Sequence, residues 1–193
     1  MASRALSLPN LLTYARILCV PLVVLCFFVE GQLRSPDYAR WSALAIFIGA
    51  SITDFFDGYL ARAWQQTSTI GRMLDPIADK LLVAAALLLL AADGTIAGWS
   101  IWAAIVILCR EILVSGLREY LAELKVSVPV TRLAKWKTTI QMVAVGFLLA
   151  GPAGDKIFPY VTDLGIALLW ASALVTLYTG YDYFRAGLRH FDD

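Results

Sequence analysis

Four aspartates stand close together at the polar ends of two apolar segments. Asp54 and Asp57 occur in Asp54-x-x-Asp57-Gly58-x-x-Ala61-Arg62, and Asp75 and Asp79 in Gly71-x-x-x-Asp75-x-x-x-Asp79. An uncompensated carboxylate at bilayer depth is costly, so a set of four points to a cation. On helices, spacings of three and four residues place each pair on one face. Four carboxylates brought to one point could not all stay ionised unaided, whereas one or two divalent cations would neutralise them. All-oxygen donors without Cys or His favour Mg²⁺ or Mn²⁺ over zinc. Gly58 and Ala61 remove bulk beside the acids, Gly71 opens the start of the following helix, and Arg62 offers a fork suited to phosphate. Pro76 fits a first helical turn. Together they describe a pocket for a metal-bound pyrophosphate carrying a flat or bulky group.

Apolar helices must hold these side chains. The chain has 193 residues, 60% hydrophobic and 16% charged, and a mean hydropathy of +0.71, well above a soluble domain of this size. A hydrocarbon core of about 30 Å takes roughly 20 helical residues to cross. Six stretches meet that requirement, near 9–29, 39–62, 73–93, 96–119, 135–151 and 160–182. The fold expected is a single all-α integral membrane domain over 1–193 with six transmembrane helices. With the N-terminus inside, only Arg34, Arg40 and Lys156 of the 16 Lys and Arg fall on the outer side. That asymmetry assigns both termini and the aspartates to the cytoplasmic face. Arg16 counts among the charges at the cytoplasmic ends, and Lys125, Lys137, Arg185 and Arg189 mark topology or meet anionic lipid.

The first span carries Arg16 and Pro21 and lacks a small-residue cleavage site after it, so it reads as a retained helix. Cys19, Cys26 and Cys109 are odd in number and lie in apolar spans, where they pack. Pro129 ends any helix before it in the cytoplasmic connection 119–135. Lys80, Arg110 and Glu111 interrupt apolar runs and should face the bundle interior or a cavity continuous with the aspartates. Trp99, Trp102, Tyr160 and Tyr178 read as interfacial anchors, and His190 as an exposed tail residue.

The full aspartate string resembles the signature of the CDP-alcohol phosphatidyltransferase family, with every position filled at the expected spacing. The resemblance implies a six-helix membrane protein, usually a homodimer, with its active site at the cytoplasmic surface. It also implies transfer of a phosphatidyl group from CDP-diacylglycerol to an alcohol with release of CMP. Carried over by position, the metal ligands fall on Asp54, Asp57, Asp75 and Asp79, with Asp79 also the general base. The CDP-diacylglycerol contacts fall on Asp54, Asp57, Gly58, Ala61, Arg62, Gly71 and Asp75.

The tract from Cys109 to Tyr120, the tract from Lys135 to Met142, and Asn10, Thr13 and Arg16 in the opening segment resemble the bacterial phosphatidylglycerophosphate synthases of that family. An acceptor such as sn-glycerol 3-phosphate is dianionic and needs cations near the metals. Arg118 and Lys135 are the first choices for its phosphate, with Arg110 and Arg132 behind them. Arg110 and Arg118 are about two helical turns apart and could line one face. Glu111 would hold Arg110 by a buried pair. Asn10 and Thr13 are substrate contacts on this resemblance, although Asn10 after a proline would also serve as a helix cap.

Intramembrane acids also mark ion routes, so a transporter or cation pathway is the rival class. Clustering at one face, with no repeated pair of broken helices, favours the enzyme. Within the enzyme class the alternatives use another acceptor, giving cardiolipin, phosphatidylserine or phosphatidylinositol-phosphate products. Nothing suggests nucleic acid; the partners expected are the two substrates, membrane lipids and a second copy. The acyl chains of the donor must stay in the bilayer during transfer, so a groove between helices should open sideways from the aspartates.

Overall fold

The computed structural model describes residues 8–29, 36–64, 69–123 and 132–188, nearly all of them helical. The helices are α1 (Leu8–Phe28), α2 (Pro36–Trp64), α3 (Thr69–Ala92), α4 (Ser100–Glu123), α5 (Arg132–Asp155) and α6 (Val161–Leu188). Each is at least 21 residues long, or about 31 Å at 1.5 Å per residue, enough to match a hydrocarbon core. Within α1, α4 and α6, long stretches are also apolar enough to cross a membrane by composition. α2, α3 and α5 are long enough but carry the charged and polar residues that build the site. Positions 1–7, 30–35, 65–68, 124–131 and 189–193, which include Arg34, Lys125, Pro129, Arg189 and His190, lie outside the described residues.

The six expected spans match the six helices with shifted ends; α3 starts at Thr69, so Pro76 lies inside the helix and not in its first turn as the sequence suggests. α4 begins at Ser100 and not near 96, because Gly94 and Gly98 take positive φ (81° and 54°) and turn the chain there. α4 then runs past the expected end, to Glu123. In α5 the regular backbone breaks at Gly151 (φ 43°, ψ −132°), just before Pro152. That breaker pair closes the span where the sequence placed its end.

α1 packs on α2 and α3, α6 packs on α5 and α4, and α5 joins the two groups by leaning on α2. The core between them comprises Phe47, Leu82, Leu87, Leu90, Ile107, Leu148, Leu149 and Leu169, interleaved with alanines such as Ala43, Ala86, Ala103 and Ala144. In lipid no hydrophobic force draws helices together, so close fit must do it, and small residues permit the approach. Gly165 of α6 shows how close: a Cβ there would stand 2.9 Å from the Leu148 side chain.

At the end of the bundle away from the aspartates, Arg40 is buried, with 8% of its surface exposed. Its guanidinium pairs with Asp93 and donates to Thr95 Oγ1 at 3.0 Å, and it lies 5.5 Å from the Phe27 ring centre. A side chain at Gly151 would meet Arg40 Nη1 at 2.6 Å, so the same glycine that breaks α5 makes room for the arginine. Arg40 counts among the outer charges in sequence, yet its role is to tie α2 to the α3–α4 turn. Replacing it with Ala leaves Asp93, in an exposed turn but with its side chain turned inward at 16% exposure, without its cation and should cost about 1–3 kcal/mol, while Arg40→Met should cost less. Thermal unfolding of the two detergent-solubilised variants checks this.

Nearby, Asp155 caps α6. Its carboxylate accepts from Thr162 Oγ1 at 2.5 Å and Thr162 N at 3.0 Å, and these bonds hold its pKa below the ordinary carboxylate value. Lys156 pairs with Asp37 at 2.7 Å and joins the same turn to the start of α2.

Candidate active site

At the opposite end, α1 presents Asn10, Thr13 and Arg16 at intervals of three residues along one face. All three are buried, Arg16 to 1% exposure although it is the bulkiest of them. α2 brings Asp54 to this face, and α3 brings Asp75 and Asp79. Arg16 Nη1 lies 2.8 Å from Asp54 Oδ1, 2.8 Å from Asp79 Oδ1 and 4.0 Å from Asp75 Oδ1. Thr13 Oγ1 donates to Asp75 Oδ1 at 2.7 Å. Three carboxylates from two helices thus meet around one guanidinium supplied by a third.

The burial is one-sided. Arg16 is sealed among the helices, while the side chains of Asp54, Asp75 and Asp79 remain 44%, 46% and 48% exposed. Arg16 offsets part of the cluster's charge from behind and leaves carboxylate surface open in front. That surface consists of oxygen donors only, the chemistry of a hard divalent cation. Among the described residues, no three acidic, His or Cys side chains close into a metal cage. Asp57, expected as a further ligand, lies on α2 with Gly58, Ala61 and Arg62, and the side chains of these positions are outside the described residues. Gly71 is buried in the first turn of α3.

Asp54 and Asp79 form one side of a cavity of about 670 Å³, whose other sides bring Lys80, Arg110, Arg118 and Lys137 from α3, α4 and α5. Arg110 donates to Thr179 Oγ1 at 3.0 Å and pairs with Glu111 at 3.2 Å; its guanidinium also lies 6.0 Å from the Tyr183 ring centre. Glu111 also pairs with Lys137. Glu111 therefore does hold Arg110, as the sequence suggests, and orients a second cation as well. Arg118 is exposed where it lines the cavity. Arg132 and Lys135 stand in the first turns of α5, with side chains outside the described residues.

Two residues need a different account from the one their sequence position suggests. Lys137 reads as a topology or lipid-contact lysine, but it is 4% exposed and lines the cavity. Arg16 reads as another cytoplasmic charge, but it lies at the centre of the aspartate cluster. The signal for Arg16 was its spacing: Asn10, Thr13 and Arg16 repeat every three residues, which puts a cation and two polar groups on one face of an apolar helix. Lys80, expected to face an interior cavity, lines this one.

The sequence model of the CDP-alcohol phosphatidyltransferases matches residues 6–178. The chain belongs to the CDP-alcohol phosphatidyltransferase family. Among curated proteins, one from Rickettsia felis is 45% identical over 185 residues, covering 96% of this chain and 97% of the relative. One from Cereibacter sphaeroides is 40% identical over 220 residues, covering 97% and 98%. One from Sodalis glossinidius is 40% identical over 187 residues, covering 96% of each. All three are named CDP-diacylglycerol–glycerol-3-phosphate 3-phosphatidyltransferase. This CDP-alcohol phosphatidyltransferase is a membrane protein by its apolar helices and its family.

Proposed function

We propose that the chain transfers the phosphatidyl group of CDP-diacylglycerol to sn-glycerol 3-phosphate, giving phosphatidylglycerophosphate and CMP. The observation that carries this reading is the pairing of two unlike walls. Open carboxylates of Asp54 and Asp79 face a single cavity with Lys80, Arg118 and Lys137. Carboxylates suit a donor pyrophosphate held through metal; cations suit an acceptor that is itself a phosphate. The names of the full-length relatives support the same pair of substrates.

In the proposed reaction, Asp79 takes the proton from the C1 hydroxyl of glycerol 3-phosphate, and the resulting oxygen attacks the phosphorus that bears the diacylglycerol. A new phosphorus–oxygen bond forms as the bond to the CMP oxygen breaks, and CMP departs with that electron pair. Arg118 and Lys135 hold the acceptor phosphate. Lys137 and Arg110, braced by Glu111, keep the cavity wall positive. Asp54, Asp57, Asp75 and Asp79 would hold one or two Mg²⁺ or Mn²⁺ ions, which when bound supply charge neutralisation at the pyrophosphate. Gly58, Ala61, Arg62 and Gly71 complete the nucleotide side, and Asn10 and Thr13 brace it from α1. The site and both termini face the cytoplasm of a bacterial inner membrane, and the working unit is a homodimer.

The test is CMP release by purified protein from CDP-diacylglycerol and Mg²⁺, with glycerol 3-phosphate, glycerol, serine, inositol phosphate or phosphatidylglycerol as acceptor. Chelator-sensitive release that depends on glycerol 3-phosphate is expected. Release with another acceptor would keep the family and overturn the acceptor. No release with any acceptor from folded protein would favour a cation pathway. In the same assay Arg118→Ala should raise the KM for glycerol 3-phosphate by about tenfold or more with little change for the donor, as lost ground-state binding of a charged group requires. Equal effects on both substrates would make Arg118 structural.

A further inference from the structure

A second cavity, of about 760 Å³, runs between α2 and α5. Its lining is almost wholly apolar, with Trp41, Phe47 and Ile48 from α2 facing Met142, Gly146 and Ala150 from α5. Ser51, Met142 and Val143 line both this groove and the polar cavity that contains Asp54 and Asp79. The groove therefore adjoins the site, with these three residues between them. It ends at the far side of the bundle against Trp41, Ile157 and Phe158.

We propose that this groove holds an acyl chain of the donor lipid and sets how long a chain the enzyme prefers, with Gly146 keeping it open and Trp41 and Phe158 marking its end. The inference rests on the proposed reaction with CDP-diacylglycerol and names the helices that seat its apolar part. Adjacency to the carboxylates identifies the occupant: Ser51 lines both cavities about one helical turn from Asp54, so the groove is the apolar path open to the tails of a lipid whose pyrophosphate is held at Asp54. Length agrees. From Asp54 back to Trp41 is 13 residues, about 20 Å of helix axis, which is more than half of a hydrocarbon core of about 30 Å.

Gly146 is the position at which the groove can be closed without disturbing the core. A Cβ there meets only Leu44 Cδ1, at 3.8 Å, so a larger side chain grows into the groove. Gly154, which also lines it, differs: a Cβ there would collide with Val161 Cγ1 at 2.8 Å, so its small size serves packing. Because surrounding lipid is as apolar as the groove, discrimination arises from shape and not from transfer out of water. Steric mismatch in such pockets is worth roughly tenfold or more per group.

The experiment compares CDP-diacylglycerol bearing two eight-carbon chains with the same compound bearing two sixteen-carbon chains, reading CMP release from full-length protein in nanodiscs. Gly146→Leu should lower kcat/KM for the long donor by at least about tenfold relative to the short one. Ile48→Trp, which acts from the opposite and 46% exposed wall, should do the same where folding is not at stake. Trp41→Ala should move the preference the other way. Equal effects on both donors in the Gly146 and Ile48 variants, or none, would overturn the proposal; equal loss with a change of oligomeric state would give the groove to a second copy. Failure of the wild-type chain to release CMP from either donor would instead count against the proposed reaction itself.

Discussion

Asp79→Asn is expected to lose turnover by about 10² to 10⁴, the usual worth of a positioned general base, while binding of CDP-diacylglycerol stays measurable. The substitution keeps the size of the side chain and one oxygen for Arg16 Nη1, which now contacts Asp79 Oδ1 at 2.8 Å. What it removes is the capacity to accept a proton. Asp79 suits that duty by position: its side chain is 48% exposed and lines the cavity that also carries Arg118 and Lys137, so an acceptor held by those cations is within its side of the site. Single-turnover CMP release and donor binding, measured on the same preparation, separate the two effects. Wild-type turnover in the variant would remove Asp79 as base. Parallel loss of turnover and donor binding would make it a holder of the pyrophosphate.

The aspartates were legible in sequence because carboxylates are expensive in an apolar segment, so their presence alone demanded a reason. The six helices were legible because a bilayer fixes their length, whereas their ends shift by a few residues at most termini, with the start of α4 set by the positive-φ glycines Gly94 and Gly98. Basic residues were harder. Lys and Arg gather at a cytoplasmic face whether or not they do chemistry, and that general bias concealed Arg16 and Lys137. Nothing in the local sequence of Lys137 distinguishes it from a lipid-facing lysine. Its distinction comes from Glu111, 26 positions earlier on α4, which meets it only once α4 and α5 share a cavity. The α2–α5 groove was expected in kind but not in place, since an apolar lining toward an empty channel and an apolar lining toward a packed core look alike in sequence.

Arg16 provides the second large effect, and its readout is stability. Removal of its guanidinium leaves Asp54, Asp75 and Asp79 repelling one another with no cation behind them. Breaking a fully buried pair costs about 3–5 kcal/mol; here the carboxylates are nearly half exposed, so Arg16→Ala should destabilise by about 1–3 kcal/mol in metal-free buffer. Arg16→Lys should recover part of the loss, since an ammonium restores the charge but not the reach and planar shape that bring Nη1 between Asp54 and Asp79. If these carboxylates are the proposed metal ligands, added Mg²⁺ supplies the missing charge to the same oxygens. The melting temperature of Arg16→Ala should then rise more with Mg²⁺ than that of the wild type, where the guanidinium already offsets the repulsion. By linkage, any such rise grows with the logarithm of ion concentration above the dissociation constant. Thermal unfolding of both proteins across a Mg²⁺ series, with Ca²⁺ and a chelator as controls, decides the matter. Equal shifts in the two proteins would mean that guanidinium and metal act on different oxygens, and that Arg16 holds the helices together without tuning the site.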